Sequence, residues 1–256
     1  PAATASLRAG ESPYVVSFNL DSAAPLTSFP RTQTHSGSRA FTLVDLLAVL
    51  AVLALCATML APALARTKSD SRVFQCLNNH TQLGRAWRLY AADNNEKLAT
   101  SLWGYYAYNP TEPMWAAGWM DWQASPANTN TLFLTDPRYA ILSRYGGNDD
   151  RLFKCPADTY LSTAQRSRGW RTRVRSMSQN LYVGSGNLDD GPTDAAYAQV
   201  TKLTGLMNPA PAETWVSIDE HPDSINDAGF FAPRTSSWID LPANYHDGGA
   251  GIAFAD

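Results

Sequence analysis

Residues 41–65 read FTLVDLLAVLAVLALCATMLAPALA, an apolar run with a single charge, Asp45. Ala and Leu dominate it, and both are strong helix formers. About twenty apolar residues in a helix match the roughly 30 Å hydrocarbon core of a bilayer, so the run predicts a membrane-spanning helix over 41–65. Pro62, near its end, predicts a kink or the end of the regular part.

Outward from this run the pattern changes on both sides. Residues 1–40 are polar and turn-rich, with Pro25, Pro30 and Gly37 and no apolar run able to form a core, so a disordered leader is expected. Arg31 and Arg39 place positive charge ahead of the helix. Downstream, residues 66–98 keep a helical period but become amphipathic. Val73, Leu77, Leu83, Trp87 and Tyr90, with Cys76 between them, recur on one face, leaving Arg66, Lys68, Arg72, Arg85 and Arg88 for solvent. Asp93-Asn94-Asn95 is a stop signal. The prediction is one long helix whose first half lies in lipid and whose second half packs on a head.

From residue 99 to 256 no long helical period remains. Strand-like runs at Arg173–Met177, Thr214–Ile218, Gly229–Phe231 and Gly251–Phe254 alternate with turn signals at 146–150, 189–192 and 247–249. Leu132–Tyr145 predicts a short helix. The fold class expected is α+β, a loop-rich head with a small antiparallel sheet laid on the long helix. There is no internal repeat.

Composition narrows the function. The net charge of −3 provides no basic surface for nucleic acid. Charged residues make up 17%, below an ordinary soluble domain. Of three cysteines, Cys56 sits in the apolar run and reads as a small hydrophobe. Cys76 and Cys155 form one disulfide if the head is outside the cytoplasm, or otherwise remain two free thiols. Neither CxxC nor zinc-type Cys/His spacing occurs, nor do GxSxG, HExxH or a P-loop, and no catalytic role is expected.

The segment Arg39-Ala40-Phe41-Thr42-Leu43-Val44-Asp45, followed by an apolar helix, resembles the prepilin signal of type IV pilins and type II secretion pseudopilins. That pattern runs basic leader, small residue, Phe, Thr, Leu, any residue, Glu, apolar helix. Ala40 replaces the usual Gly before the cut, and Asp45 replaces Glu. Pro62 falls where many pilins carry a helix-bending Pro. Further motifs resemble pseudopilin-type proteins of planctomycetes and verrucomicrobia: Cys76-Leu77-Asn78-Asn79, Phe153-Lys154-Cys155-Pro156, Ser176-Met177-Ser178-Gln179-Asn180 and Asp219-Glu220-His221-Pro222. His246 and Asp256 stand in the spacing of those proteins' His-X9-Asp-Gly element. The resemblance implies cleavage between Ala40 and Phe41 by a prepilin peptidase and methylation of the new amine. It implies a single-pass inner-membrane subunit with an extracytoplasmic head, and assembly with other pilin or pseudopilin subunits. Asp45 would neutralise a neighbour's N-terminal amine, since a lone carboxylate in lipid costs about 2.5–3.5 kcal/mol or more.

Other readings stay open at this stage. Ala63-Leu64-Ala65 before Arg66 resembles an ordinary signal-peptidase site. A tethered or secreted head without filament assembly would be a binding module for polysaccharide or protein. The aromatics Trp103, Tyr105, Tyr106, Tyr108, Trp115, Trp119 and Trp122 read mainly as core. Asp219, Glu220, Asp223 and Asp227, with the Asn226 amide, are hard oxygen donors that suit a structural Ca²⁺, or form a solvated turn around Pro222. His246 is expected at the mouth of a hairpin, bonding backbone, with Asp256 closing a turn.

Overall fold

Thr42 and Asp45 start the first helix. The Thr42 N–H and Oγ1 donate to Asp45 Oδ2 at 3.0 and 2.7 Å, and the Asp45 N–H donates back to Thr42 Oγ1 at 3.2 Å. This reciprocal pair is a capping box, with Asp in the place usually held by Glu or Gln. The helix α1 then runs Leu43–Asp93, and its backbone continues through position 62. It ends where Asn95 and Glu96 take left-handed φ values of 54° and 63°. There the Glu96 N–H donates to Ala91 O at 2.8 Å.

The structure, a computed structural model, describes residues 41–186, 197–231 and 237–256, with the backbone alone at 60–66, 68 and 69. The expected leader with Ala40, the turn at 189–192, and the side chains of Pro62, Arg66 and Lys68 lie outside the described residues. The chain divides into two units, residues 1–52 and 53–256.

The expectation of a membrane-spanning first half is corrected. Among the described residues, no helix is long and apolar enough to cross a membrane. The described apolar side chains run from Leu43 to Met59, about 25 Å of helix at about 1.5 Å per residue, against a core of roughly 30 Å. Within the first unit these side chains are exposed, Leu43 and Val44 by 72% and 71%.

In the second unit, α1 buries one face. Cys76, Asn79, His80, Leu83, Ala86, Trp87 and Ala91 are all buried, at helical spacing. Leu77, expected on this face, is 46% exposed. The polar Asn79 and His80 take the inner positions instead. Against this face pack Trp115, Leu134, Leu142, Phe153, Met177 and Val216 in one cluster. Short helices α2 (Tyr105–Tyr108), α3 (Leu132–Thr135) and α4 (Thr163–Ser167) punctuate the loops. Ser162 caps α4 in a capping box with Gln165.

Four strands form the sheet: β1 (Met177–Asn180), β2 (Trp215–Asp219), β3 (Gly229–Phe230) and β4 (Ile252–Phe254), in the order β3-β1-β2-β4. β2 lies antiparallel to β1 and to β4, but β3 lies parallel to β1. The sheet is therefore mixed, which corrects the expected antiparallel one. The chain reverses after β2, so β3 must run in the direction of β1, and β4 already holds the other edge of β2. β1 also begins at the last residue of the predicted 173–177 strand, because Arg173 and Arg175 are turned into polar contacts of their own.

Gly184 shows how closely the loops pack. It has φ +99°, and a Cβ there would lie 2.5 Å from Ala99 O. Trp87, 1% exposed, fills the centre of the cluster. Trp87→Ala is expected to cost about 3–5 kcal/mol of unfolding free energy. Gly184→Ala is expected to cost about 1–3 kcal/mol through strain and backbone clash. Denaturant unfolding followed by near-ultraviolet circular dichroism measures both; a loss below about 1 kcal/mol for Trp87→Ala would contradict this core.

Candidate functional site

Asp219 ends β2 and Glu220 follows it, and the side chains of successive residues in extended chain leave on opposite sides. Asp219 points toward α1; Glu220 points away from it. Each becomes the centre of a buried polar cluster.

The Asp219 side brings together four segments remote in sequence. The Cys76 Sγ, on α1, donates to Asp219 Oδ2 at 3.0 Å. The Gly251 N–H, just before β4, donates to the same oxygen at 3.0 Å. His80, one turn along α1 from Cys76, places Nε2 3.5 Å from Asp219 Oδ1 and Nδ1 3.0 Å from Ser217 Oγ. His246 approaches from the other side, with Nε2 3.8 Å from Asp219 Oδ2 and 3.3 Å from Cys155 Sγ. One donor atom from each of Cys76, Cys155, Asp219 and His246 lies within 4.8 Å of the others. Cys76, Cys155 and Asp219 have no exposure.

Local structure fixes each member. Asn79 on α1 donates through Nδ2 to Arg151 O at 3.0 Å and to Lys154 O at 2.8 Å, anchoring the loop that carries Cys155. The Cys155 N–H donates to Ser176 Oγ at 2.7 Å. His246 and Gly249 exchange backbone bonds of 3.1 and 2.9 Å across a tight turn. Asp247 and Gly248, between them, have φ 50° and 90°, the two left-handed residues of a hairpin turn. Gly251 has no room for a side chain: its Cβ would lie 2.8 Å from Asp219 Oδ2 and from His80 Nε2. Burial and the neighbouring Cys155 and Asp219 hold the Cys76 thiol far above its usual range, Cys155 making the largest contribution.

The expected partners Cys76 and Cys155 are thus adjacent, and both are free thiols. His246 does form the mouth of a hairpin, but its ring faces Cys155 and Asp219 rather than backbone. Asp256, the other end of the His-X9-Asp element, is exposed, and its main-chain carbonyl accepts from Arg88 Nη1. A Cys-His-Asp arrangement invites comparison with a nucleophile, base and orienting acid. Here Cys155 and Asp219 face the same nitrogen, Nε2, whereas an orienting acid would hold Nδ1. Both thiols are fully buried.

The Glu220 side overturns the expected calcium ligand set. Asp219 faces the thiols. Asp223 is exposed beside His221, at 3.7 Å. Asp227 accepts from the Gly229 N–H at 2.9 Å and the Gly104 N–H at 3.3 Å. Glu220 is fully buried, near Arg175 and Asp240. Asp219 and Asp223 thus lie apart from Glu220 and Asp227, which share Arg175 as a neighbour. Arg175 donates to Asp227 O at 2.6 Å and to Met177 O at 2.8 Å. Burial pushes Asp227 up to about 6 and Asp240 up to about 7, and raises Glu220 well above the carboxylate range. It also lowers Arg175 to about 10. The Asp240 carboxylate still accepts from the Phe231 N–H at 2.7 Å.

Of the aromatics, Trp115 is core, while Tyr105 and Tyr108 are 70% and 68% exposed. Trp122 lies under the Arg173 guanidinium, 4.7 Å from ring centre to cation. His80 and the grouping of Cys76, Cys155, Asp219 and His246 escaped the sequence reading. The only available signal was that each lay within a motif noted separately.

No protein-family model matches the chain, and neither the curated proteins nor the solved structures contain a match.

Asp240 and Asp227 have folded pKa values above the unfolded value near 3.8. The folded head therefore holds protons that the unfolded chain has lost between about pH 4 and pH 7, and its stability falls as pH rises through that window. Asp240→Asn, which keeps an oxygen for Phe231, should raise stability near pH 8 by on the order of a few kcal/mol and leave it unchanged near pH 4. Thermal unfolding across pH measures this; a variant that gains equally at both ends would contradict it.

Proposed function

We propose that the chain is a structural subunit of a pilus- or pseudopilus-type filament, cut before Phe41 by a prepilin peptidase and assembled through its N-terminal helix. The observation that carries this reading is the apolar surface of α1. Phe41, Leu43, Val44, Leu47, Leu50, Val52, Leu53, Leu55 and Met59 are each more than half exposed. Folded monomers rarely leave so large a continuous apolar surface uncovered. Its occupants, on this proposal, are the same helices of neighbouring subunits.

Asp45 then has two roles. Within its own chain it caps α1 through Thr42. Between chains its exposed carboxylate meets the amine that cleavage at Phe41 creates. This pairing sets axial register while the apolar faces supply cohesion.

Mass spectrometry of the mature chain should find Phe41 at the N-terminus, and electron microscopy should find filaments. A mature start at Arg66 would contradict the proposal. Asp45→Ala should lower filament yield by about tenfold or more, equivalent to about 1.4 kcal/mol per subunit contact. Thr42→Ala removes the cap alone, worth about 1 kcal/mol to the helix, and keeps the carboxylate. If the two variants assemble equally poorly, Asp45 is only a cap and the register role fails. Leu50→Lys should abolish filaments without changing unfolding of the head.

A further inference from the structure

The buried quartet beside β2 is not used by filament assembly, and it contains a carboxylate in a place that disfavours a lone charge. Among the described residues, Asp219 has no Lys or Arg within ion-pair distance, only His80 and His246. A fully buried carboxylate without a cation is costly, and such groups are usually paired or bind metal. We infer that Cys76, Cys155, Asp219 and His246 form a structural site for a divalent transition-metal ion of the zinc type.

The donor set fits that ion. Two sulfurs, one imidazole nitrogen and one carboxylate oxygen match the ligands zinc takes in closed, four-coordinate sites. A tetrahedral ion with bonds of about 2.3 Å to sulfur and 2.0–2.1 Å to nitrogen or oxygen holds its donors about 3.3–3.8 Å apart. The separations here are 3.0 Å from Cys76 Sγ to Asp219 Oδ2, 3.3 Å from Cys155 Sγ to His246 Nε2, and 3.8 Å from His246 Nε2 to Asp219 Oδ2. All four donors lie within 4.8 Å of one another, so shifts on the order of 1 Å complete the shell. Binding displaces the two thiol protons to solvent and leaves both sulfurs as thiolates.

The surroundings orient the ligands. The Gly251 N–H holds Asp219 Oδ2, and His80, fixed by Ser217, stands against Oδ1. Such outer contacts are the usual support of a metal ligand. Calcium is a poor match, because it takes six to eight oxygens and no sulfur. A Cys76–Cys155 disulfide is the competing use of the two sulfurs. It would remove the Cys76 donor from Asp219 and leave that buried carboxylate with less compensation. The ion would cross-link α1, the 154–158 loop, the end of β2 and the hairpin at His246.

The test uses the full chain, isolated without chelator. Elemental analysis should find about one zinc per chain, the stoichiometry of a closed four-ligand site. Exchange of Co²⁺ into the wild-type chain should give a thiolate-to-cobalt charge-transfer band and the visible spectrum of a tetrahedral ion. Cys76→Ser and Cys155→Ser should lose that band, and Cys56→Ser should keep it. His246→Ala keeps both sulfurs and should weaken Zn²⁺ binding by about a hundredfold or more, beyond the 10–100-fold typical of losing an outer contact. A Cys76–Cys155 cross-link in the freshly isolated chain would overturn the inference. So would reduced wild-type protein that takes up neither Zn²⁺ nor Co²⁺. Both readouts are made on folded wild-type chain and are independent of whether filaments form.

Discussion

Asp219 is the constraint on which the head is built. Its carboxylate, with no exposure, accepts from a thiol on α1 and from a backbone amide before β4, both at 3.0 Å. The pairing of β2 with β1 and β4 places the carboxylate there, since Asp219 is the last residue of β2 and lies opposite Met177. The glycine at 251 is required by it, because any side chain would collide with the carboxylate or with His80. Helix, sheet and terminal hairpin therefore meet at one group whose polar needs must be met from inside the protein. A buried acceptor left without partners costs about 1–3 kcal/mol, and more when charged. The packing of four remote segments is thus tied to one set of donors.

The opposite side of the same strand end shows a different solution. Glu220, Asp227 and Asp240 are buried with the Arg175 guanidinium nearby. Here burial outweighs the cation, and the carboxyl groups hold protons to higher pH than they would in water. Asp219 instead faces thiols and imidazoles. The two clusters differ in neighbours rather than in burial, and strand alternation alone assigns each acid to its side.

Much of this was legible in the sequence. The start of α1 followed from the apolar run at 41–65 and its end from Asp93-Asn94-Asn95, while the cap made by Thr42 and Asp45 was not read. Leu83, Trp87 and the runs at 214–218, 229–231 and 251–254 followed from periodicity and turn residues. The sheet's mixed pairing was not legible, because direction depends on which edge of β2 is free, a property of the whole fold. Leu77 lost its expected inner place, and His80, which the sequence had not singled out, lies on that face, because it meets a polar strand end. The apolar run was read over residues 41–65 as long enough to cross a bilayer, whereas among the described residues no helix is long and apolar enough to do so. The quartet was hidden for a simpler reason: Cys76 and Asp219 are 143 residues apart, and no spacing rule links them.

That separation also bears on how the chain acquires its fold. The helix surface carrying Cys76, His80 and Trp87 is made well before Asp219, His246 and Gly251. Until they arrive, Cys76 and His80 on the inner face of α1 lack their later partners, and long-range closures of this kind are intrinsically slow. The nascent chain therefore passes through a stage at which two sticky surfaces, the apolar N-terminal run and the unfilled face behind it, are both open. Escorting factors that shield such surfaces during biogenesis would have their greatest effect in that interval.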